Sequence, residues 1–371
     1  MNIVHLTAST MYGGPERQML GLAEAIQDHA RVSVVSFKEG GRSKPFLSQA
    51  RKLGLEAVQL EYDTPRFFRT ITEITSVLER LKADVVLCHG YKADILGRPA
   101  ARRRGIPAVA VSRGWTGESW RVRWYEWFDK WHLPCMDRVV AVSEAQAAKV
   151  RRCGVKQEKL FVIPNGIDPE RYTDPDPHAR TRMERYFKNA VSLVIGAAGR
   201  FSPEKGFDVL VKAAAMVADQ CPEVGFAIFG DGPCRPALQA QIQALGCGGQ
   251  VVLPGYRNDL DNFIPQLDLF VLASHTEGMP NVVLEACAAG VPVVATAVGG
   301  TPEVLGEDCG WLVPPGDPHA LTAAIMDAID CPERLRDVAF NGRQKVLEDF
   351  SFRTQAAQYL KMLEEIVPCG V

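Results

Sequence analysis

Two carboxylates in the C-terminal half of this 371-residue chain have the types and spacing to handle a phosphorylated sugar. Glu277 lies in the string Ser274-His275-Thr276-Glu277-Gly278-Met279-Pro280-Asn281, and Glu285 follows it in a helical pattern that runs through Val283, Leu284 and Cys287 and stops at Gly290. Apolar runs at 269–272 and 293–296 flank the segment. Strand, loop, helix and strand in that order make one right-handed crossover unit of a parallel sheet. The unit places Glu277 on the loop at the carboxyl edge, Glu285 a little over one turn into the helix, and the helix-start amides of 279–281 at the same crevice. Carboxylates accept hydrogen bonds from vicinal diols, and helix-start amides take an anion. A nucleotide sugar carries both groups. Two isolated glutamates would ordinarily be solvated surface charges; it is the whole string around them that points to a site.

A second loop supplies cations. Gly199-Arg200-Phe201-Ser202-Pro203-Glu204-Lys205-Gly206 joins an apolar run at 191–197 to a helical pattern at 207–219. Arg200 can fork across two oxygens, while Lys205 adds a mobile charge, which together suit a diphosphate. A departing nucleoside diphosphate would concentrate charge there, so these cations would strengthen in the transition state. The spacing is not that of a Walker loop. Near the N-terminus, Gly13-Gly14 precedes Pro15 and Glu16, ordinary signals for a helix start, and lets backbone approach a bound group.

The elements that must position these residues alternate along the whole chain. Apolar runs at 2–8, 32–37, 57–60, 85–88, 108–111, 138–142 and 160–163 alternate with helical patterns, which predicts a doubly wound parallel sheet with ligands at its carboxyl edge. Pro164-Asn165-Gly166-Ile167-Asp168 and the polar stretch 174–178 break the alternation and read as a linker. A second α/β series follows. The chain is too long for a single core, and 47% hydrophobic with 23% charged residues is a globular balance. The expected domains are 1–168, 169–350, and a terminal helix at 351–371 that crosses back to the first.

On the first sheet, His89 and Arg113 are delivered to the carboxyl edge by the runs at 85–88 and 108–111. For His89, a neutral structural imidazole and an active-site donor both fit. Trp115, Trp120, Trp124, Trp127 and Trp131 follow, four of them at helical spacing with Arg121, Arg123 and Lys130 between. A core face is the ordinary reading of such a stripe. The alternative is an aromatic, basic face for a lipid interface or for stacking on acceptor sugars. Net charge is −2, but the chain up to Asp168 carries 26 basic and 18 acidic residues, a balance of +8, against −10 beyond it. A basic N-terminal half suits an anionic partner such as a membrane surface or lipid phosphate, or is incidental surface charge. The chain opens into an apolar run with no basic leader and no membrane-length segment, so a cytoplasmic protein is expected, at most at the inner face of the membrane. The ten cysteines show no metal-ligand spacing and read as reduced packing residues.

Glu277 and Glu285 with seven residues between them, Gly278-Met279-Pro280-Asn281, Gly290-Val291-Pro292 and Gly299-Gly300-Thr301-Pro302-Glu303 together resemble the donor-site signature of retaining GT-B glycosyltransferases of family four. The loop bearing Arg200 and Lys205, and the linker string Ile163 to Asp168, match the same family. The resemblance implies an α/β GT-B fold, two Rossmann-like doubly wound domains facing a central cleft, with the acceptor on the first and the donor on the second. It implies transfer of a sugar from a UDP- or GDP-linked donor to a glycan or lipid-linked glycan hydroxyl in polysaccharide or cell-envelope synthesis, with retention and without a metal or other cofactor. Arg200, Lys205 and Glu277 would be catalytic. Gly14, Gly255, Tyr256, Gly278, Met279, Pro280, Asn281 and Glu285 would join them in holding the donor. His89, Arg113 and Trp115 would lie on the acceptor side, although Arg113 stands where the family commonly has histidine. Asp174-Pro175-Asp176 and Asp259-Leu260-Asp261 spell the Asp-x-Asp of metal-dependent transferases of another fold, in linker and helix-start contexts. A sugar-nucleotide epimerase of the same fold and a non-catalytic sugar-nucleotide sensor remain alternatives. A dehydrogenase is disfavoured, since Gly13-Gly14 is no G-x-G-x-x-G fingerprint, and no nucleic-acid partner is expected.

Overall fold

A computed structural model describes residues 1–10, 12–115 and 120–367, leaving aside the side chains of 120–123. The chain divides into two compact units, Met1–Gly166 with Phe352–Val371, and Ile167–Ser351.

The first unit alternates strand and helix: β1 (Asn2–Thr7), α1 (Gly14–Ile26), β2 (Arg31–Ser36), α2 (Lys44–Lys52), β3 (Glu56–Gln59), α3 (Phe67–Arg80) and β4 (Val85–His89). It continues with α4 (Tyr91–Arg104), β5 (Ala108–Ser112), α5 (Trp120–His132), β6 (Arg138–Ala141), α6 (Glu144–Arg152) and β7 (Leu160–Val162). The seven strands are parallel in the order β3-β2-β1-β4-β5-β6-β7. Strands covered on both faces read as continuous apolar runs, and β4 is buried at every position.

The first α-helix of the second unit is the short α7 (Ala179–Glu184), between the linker stretch 174–178 and the apolar run from 191, where the sequence pattern marked no element. Arg180 fixes it: the guanidinium donates to Asp268 Oδ2 at 2.8 Å and to the Gln266 carbonyl at 2.8 Å. There follow β8 (Leu193–Ala198), α8 (Phe207–Gln220), β9 (Val224–Phe229), α9 (Arg235–Ala244), β10 (Val251–Gly255), α10 (Leu260–Phe263) and β11 (Leu269–Leu272). The unit ends with α11 (Asn281–Ala288), β12 (Val293–Thr296), α12 (Thr301–Leu305), β13 (Trp311–Val313), α13 (Pro318–Asp330) and α14 (Pro332–Asp349). Its six strands are parallel, in the order β10-β9-β8-β11-β12-β13.

The last helix, α15 (Phe352–Glu364), packs on α1 of the first unit. Ala356, Tyr359, Met362 and Leu363 are buried there against Ile3, Leu87 and Val109 of the sheet. The contact is close because two glycines permit it: a Cβ on Gly21 would come within 2.2 Å of the Phe352 ring, and one on Gly166 within 2.6 Å. Each sheet has one point where strand order reverses, between β1 and β4 in the first and between β8 and β11 in the second. Loops leaving the carboxyl ends on either side of such a reversal diverge and open a crevice, the usual ligand position in open α/β sheets.

Candidate functional site

In the second unit the reversal brings the two predicted loops together. The loop after β8 carries Arg200 and Lys205, and the loop after β11 carries Glu277. Lys205 Nζ lies 2.7 Å from Glu277 Oε1, and Ser274 Oγ donates to the same oxygen at 2.7 Å. Glu277 Oε2 accepts no bond among the described residues. The carboxylate is thus held by one edge, with the other oriented outward from the pair. The loops are also joined through backbone, since His275 N donates to the Glu204 carbonyl at 2.8 Å. Two glycines make the approach possible. Gly206, at φ +61°, would put a Cβ 2.1 Å from the Ala273 carbonyl oxygen, and Gly299, at φ +56°, would put one 2.2 Å from the Glu277 carbonyl oxygen. Only glycine accepts both the left-handed backbone and the contact.

Arg200 is half-exposed and reaches Glu204 Oε1 at 3.1 Å, where Ser202 Oγ also donates at 2.5 Å. Burial alone would raise the Glu204 carboxyl, but these hydrogen bonds and the nearby Arg200 and Lys205 charges hold it below its ordinary value. Glu285 is buried on α11 and Asn281 begins that helix, and neither they nor Gly278 and Met279 lack a partner. Met279 and Pro280 are buried, and Gly300 N donates to the Gly278 carbonyl at 2.7 Å, fixing the turn beneath Glu277. Tyr256 stands apart, 63% exposed, next to Gly255 at the end of β10. Of the Asp-x-Asp strings, Asp259 is forked by Arg257 at 2.8 and 2.6 Å, Asp261 pairs with Arg171 at 2.8 Å, and Asp176 pairs with Arg182. Ser274 and Glu204 were not singled out from sequence. Their place beside Glu277 and Arg200 in two loops of the same edge was the available signal.

In the first unit, His89 is buried at the end of β4, where its ring stacks on that of His5 from β1, with centroids 5.1 Å apart and planes within 7°. His89 Nε2 and His5 Nδ1 share a hydrogen bond at 2.9 Å. Burial, and after it the Arg113 guanidinium, pushes His5 down to about 3, and the same causes hold His89 well below its usual value. Both rings are neutral at pH 7. His5 was missed because its significance comes from β1 lying beside β4, a neighbour relation across the reversal. Gly14 begins α1, where Glu16 Oε2 already accepts from Gly13 N at 3.1 Å, closing the helix start on its own carboxylate.

Trp115 is tied down: its Nε1 donates to Asp129 Oδ2 at 3.0 Å and Lys130 Nζ sits 4.7 Å over its ring. Asp129 is buried beside Asp94 of α4, and burial followed by the mutual interaction raises the Asp94 carboxyl well above its normal range. The tryptophan stripe corrects the core reading. Trp124, Trp127 and Trp131 are 59%, 58% and 74% exposed, with Phe128 among them, while Glu126 and Asp129 occupy the buried side of α5. A helix with carboxylates facing in and aromatics facing out inverts the usual pattern. The side chains of Trp120, Arg121 and Arg123 lie outside the described residues.

Two family models divide the chain between them. Residues 12–171 match Glycosyltransferase Family 4 and residues 180–345 match Glycosyl transferases group 1. The chain is a GT-B glycosyltransferase of the family-four type. A relative in this family, the UDP-Gal:alpha-D-GlcNAc-diphosphoundecaprenol alpha-1,3-galactosyltransferase of Escherichia coli, is 26% identical over 95% of this chain and 93% of its own. The GDP-mannose-dependent alpha-(1-6)-phosphatidylinositol monomannoside mannosyltransferase of Mycolicibacterium smegmatis is 33% identical over 61% of this chain and 62% of its own. In fold, the chain matches the crystal structure of Anabaena HepE in complex with UDP at a TM-score of 0.84 and 24% identity, covering 98% of this chain and 100% of that one. Family-four relatives of this chain work in cell-envelope and polysaccharide synthesis. Among the described residues no helix is long and apolar enough to cross a membrane.

Proposed function

We propose that this glycosyltransferase moves a sugar from a UDP- or GDP-linked donor to a hydroxyl of a glycan or lipid-linked glycan, with retention at the anomeric carbon and without a metal ion. The observation that carries the reading is the Lys205–Glu277 pair across the strand-order reversal of the second unit. In this scheme Arg200 and Lys205 meet the diphosphate, whose charge grows as the bond from the anomeric carbon to the phosphate oxygen breaks. Glu277 orients the donor sugar through its outer oxygen, while Glu285 takes the ribose hydroxyls. The acceptor oxygen bonds to the anomeric carbon from the face the diphosphate leaves, and its proton passes to a phosphate oxygen of the leaving group. Two side-chain cations supply the charge that a metal supplies in other transferases, and the aspartates of the Asp-x-Asp strings at 174–176 and 259–261 that form ion pairs are each engaged by arginine. The names of the relatives support the donor and acceptor classes: one carries UDP-galactose and a diphosphoundecaprenol acceptor, the other GDP-mannose and a phosphatidylinositol glycan.

The acceptor side belongs to the first unit, with His89, Arg113 and Trp115 as its candidates. A lipid-linked acceptor also accounts for the outward aromatics of α5 on a unit that carries further basic residues, Arg102, Arg103 and Arg104, in the last turn of α4, a composition suited to the interface of an anionic membrane at its cytoplasmic face.

Calorimetric titration of UDP, GDP and ADP into the wild type, Arg200→Ala and Glu285→Ala tests the donor site. One nucleotide should be preferred, and both substitutions should weaken it by roughly tenfold or more. Binding that survives both unchanged would remove the donor site from this loop pair.

A further inference from the structure

Among the described residues of the first unit, one cation at the sheet edge has no answering group. Arg113 follows β5 at the carboxyl edge, next to β4 and within reach of the reversal between β1 and β4. Among the described residues no carboxylate or carbonyl pairs with its guanidinium, and its Nε is sealed from water without a partner. Its remaining nitrogens are not sealed, and the side chain keeps partial exposure. Glu16 and Tyr359 influence it electrostatically, but Glu16 is bonded to Gly13 N. A half-buried guanidinium normally finds a carboxylate or phosphate, because desolvation without one is expensive.

The neighbouring histidines have the same unfinished character. Each neutral ring has one N–H. The shared His5–His89 bond uses one of the two protons, which leaves one outer nitrogen protonated and the other bare. Those outer nitrogens, His5 Nε2 and His89 Nδ1, are buried with no partner among the described residues. A cation and a spare N–H donor in one neighbourhood at the sheet reversal make a receptor for an oxyanion, not a self-satisfied core. We infer that Arg113 binds a phosphate group on the acceptor, with the His5–His89 pair as the neutral wall behind it. The inference rests on the acceptor-side reading above and adds a substrate class: acceptors that carry a phosphate near the receiving sugar. The donor diphosphate has its own two cations, Arg200 and Lys205, in the other unit, and Arg113 is not needed to balance it.

The probe is inorganic phosphate, titrated by calorimetry at constant ionic strength into the full chain already saturated with UDP. The arms are wild type, Arg113→Gln, Arg113→Lys and Lys205→Met, the last without UDP. Phosphate should bind the UDP-saturated wild type and Lys205→Met alike. Arg113→Gln should weaken it by roughly tenfold or more, and Arg113→Lys by less, since the charge remains but the fork is lost. UDP affinity in Arg113→Gln serves as the folding control and should equal that of the wild type. Equal phosphate affinity in wild type and Arg113→Gln would overturn the assignment. Phosphate binding that disappears on UDP saturation, and is lost in Lys205→Met, would overturn it too, by assigning the anion to the donor diphosphate. Failure of UDP to bind at all would instead refute the donor-site reading, and the phosphate arms would then be read without UDP, where loss in Arg113→Gln alone still supports the inference and no loss overturns it.

Discussion

Acid should loosen the first unit through its histidine pair. In the folded chain His5 stays neutral to about pH 3, whereas an unfolded imidazole takes its proton near 6.5. The folded value is depressed, so below 6.5 the unfolded state binds more protons, and stability present above that pH is lost as pH falls toward 3. For one such histidine the loss between pH 7 and pH 5 is roughly 2 kcal/mol. His89 is shifted in the same direction and adds a loss of the same sign. The assay is urea unfolding at pH 5, 6 and 7 followed by tryptophan fluorescence, which reports chiefly on this unit because five of the six tryptophans precede residue 132. Other groups titrate in the same range, so the quantity to compare is the difference between the wild type and His5→Leu. At pH 7 the variant is less stable, having stranded His89 Nε2. At pH 5 that gap should close by roughly 2 kcal/mol, because the variant has one imidazole fewer to protonate on unfolding. A gap independent of pH would refute the neutral buried pair.

Three further outcomes are expected. Gly299→Ala forces a left-handed backbone, worth roughly 1–2 kcal/mol, and a Cβ against the Glu277 carbonyl; UDP affinity measured by calorimetry should fall about tenfold or more, and an unchanged affinity would mean that this turn does not position the donor loop. Burial, and after it the neighbouring Asp129, holds the folded Asp94 carboxyl well above its ordinary value, so its contribution is lost as pH rises above its unfolded value near 4. Asp94→Asn should therefore gain stability relative to the wild type between pH 5 and pH 8 in urea unfolding, and a loss over that range would contradict the shared carboxyl pair. Replacing Trp124 and Trp131 by serine should reduce sedimentation with phosphatidylglycerol vesicles several-fold while leaving UDP affinity as it is, and undiminished sedimentation would remove α5 from the membrane reading.

Both sheets were legible because parallel strands covered on two faces must be apolar throughout, and the runs at 85–88, 191–197 and 269–272 say so without alternation. The loops bearing Lys205 and Glu277 were legible for a related reason: chemistry at a carboxyl edge leaves polar strings between an apolar run and a helix. What could not be read was adjacency. His5 looks like any polar residue in an edge of pattern until β1 is known to lie beside β4. The outward face of α5 was hidden because its aromatic spacing suits a core equally well; burial of Asp129 and Glu126 on the opposite side decides it. The helix at 179–184 is held by the long-range pairing of Arg180 with Asp268, which local pattern does not carry.

The route of the chain through α15 also sets an order of assembly. The first unit lacks that helix until 185 residues of the second have been made. At ~5–20 residues per second a ribosome takes about 10–40 s over them. Throughout that interval the apolar seat of Tyr359, Met362 and Leu363 lies bare on the first unit, and by its end the second unit has its whole sequence. The half of the enzyme that is translated first is therefore the half that matures last, and a nascent chain stalled before Phe352 would present that bare seat to chaperones.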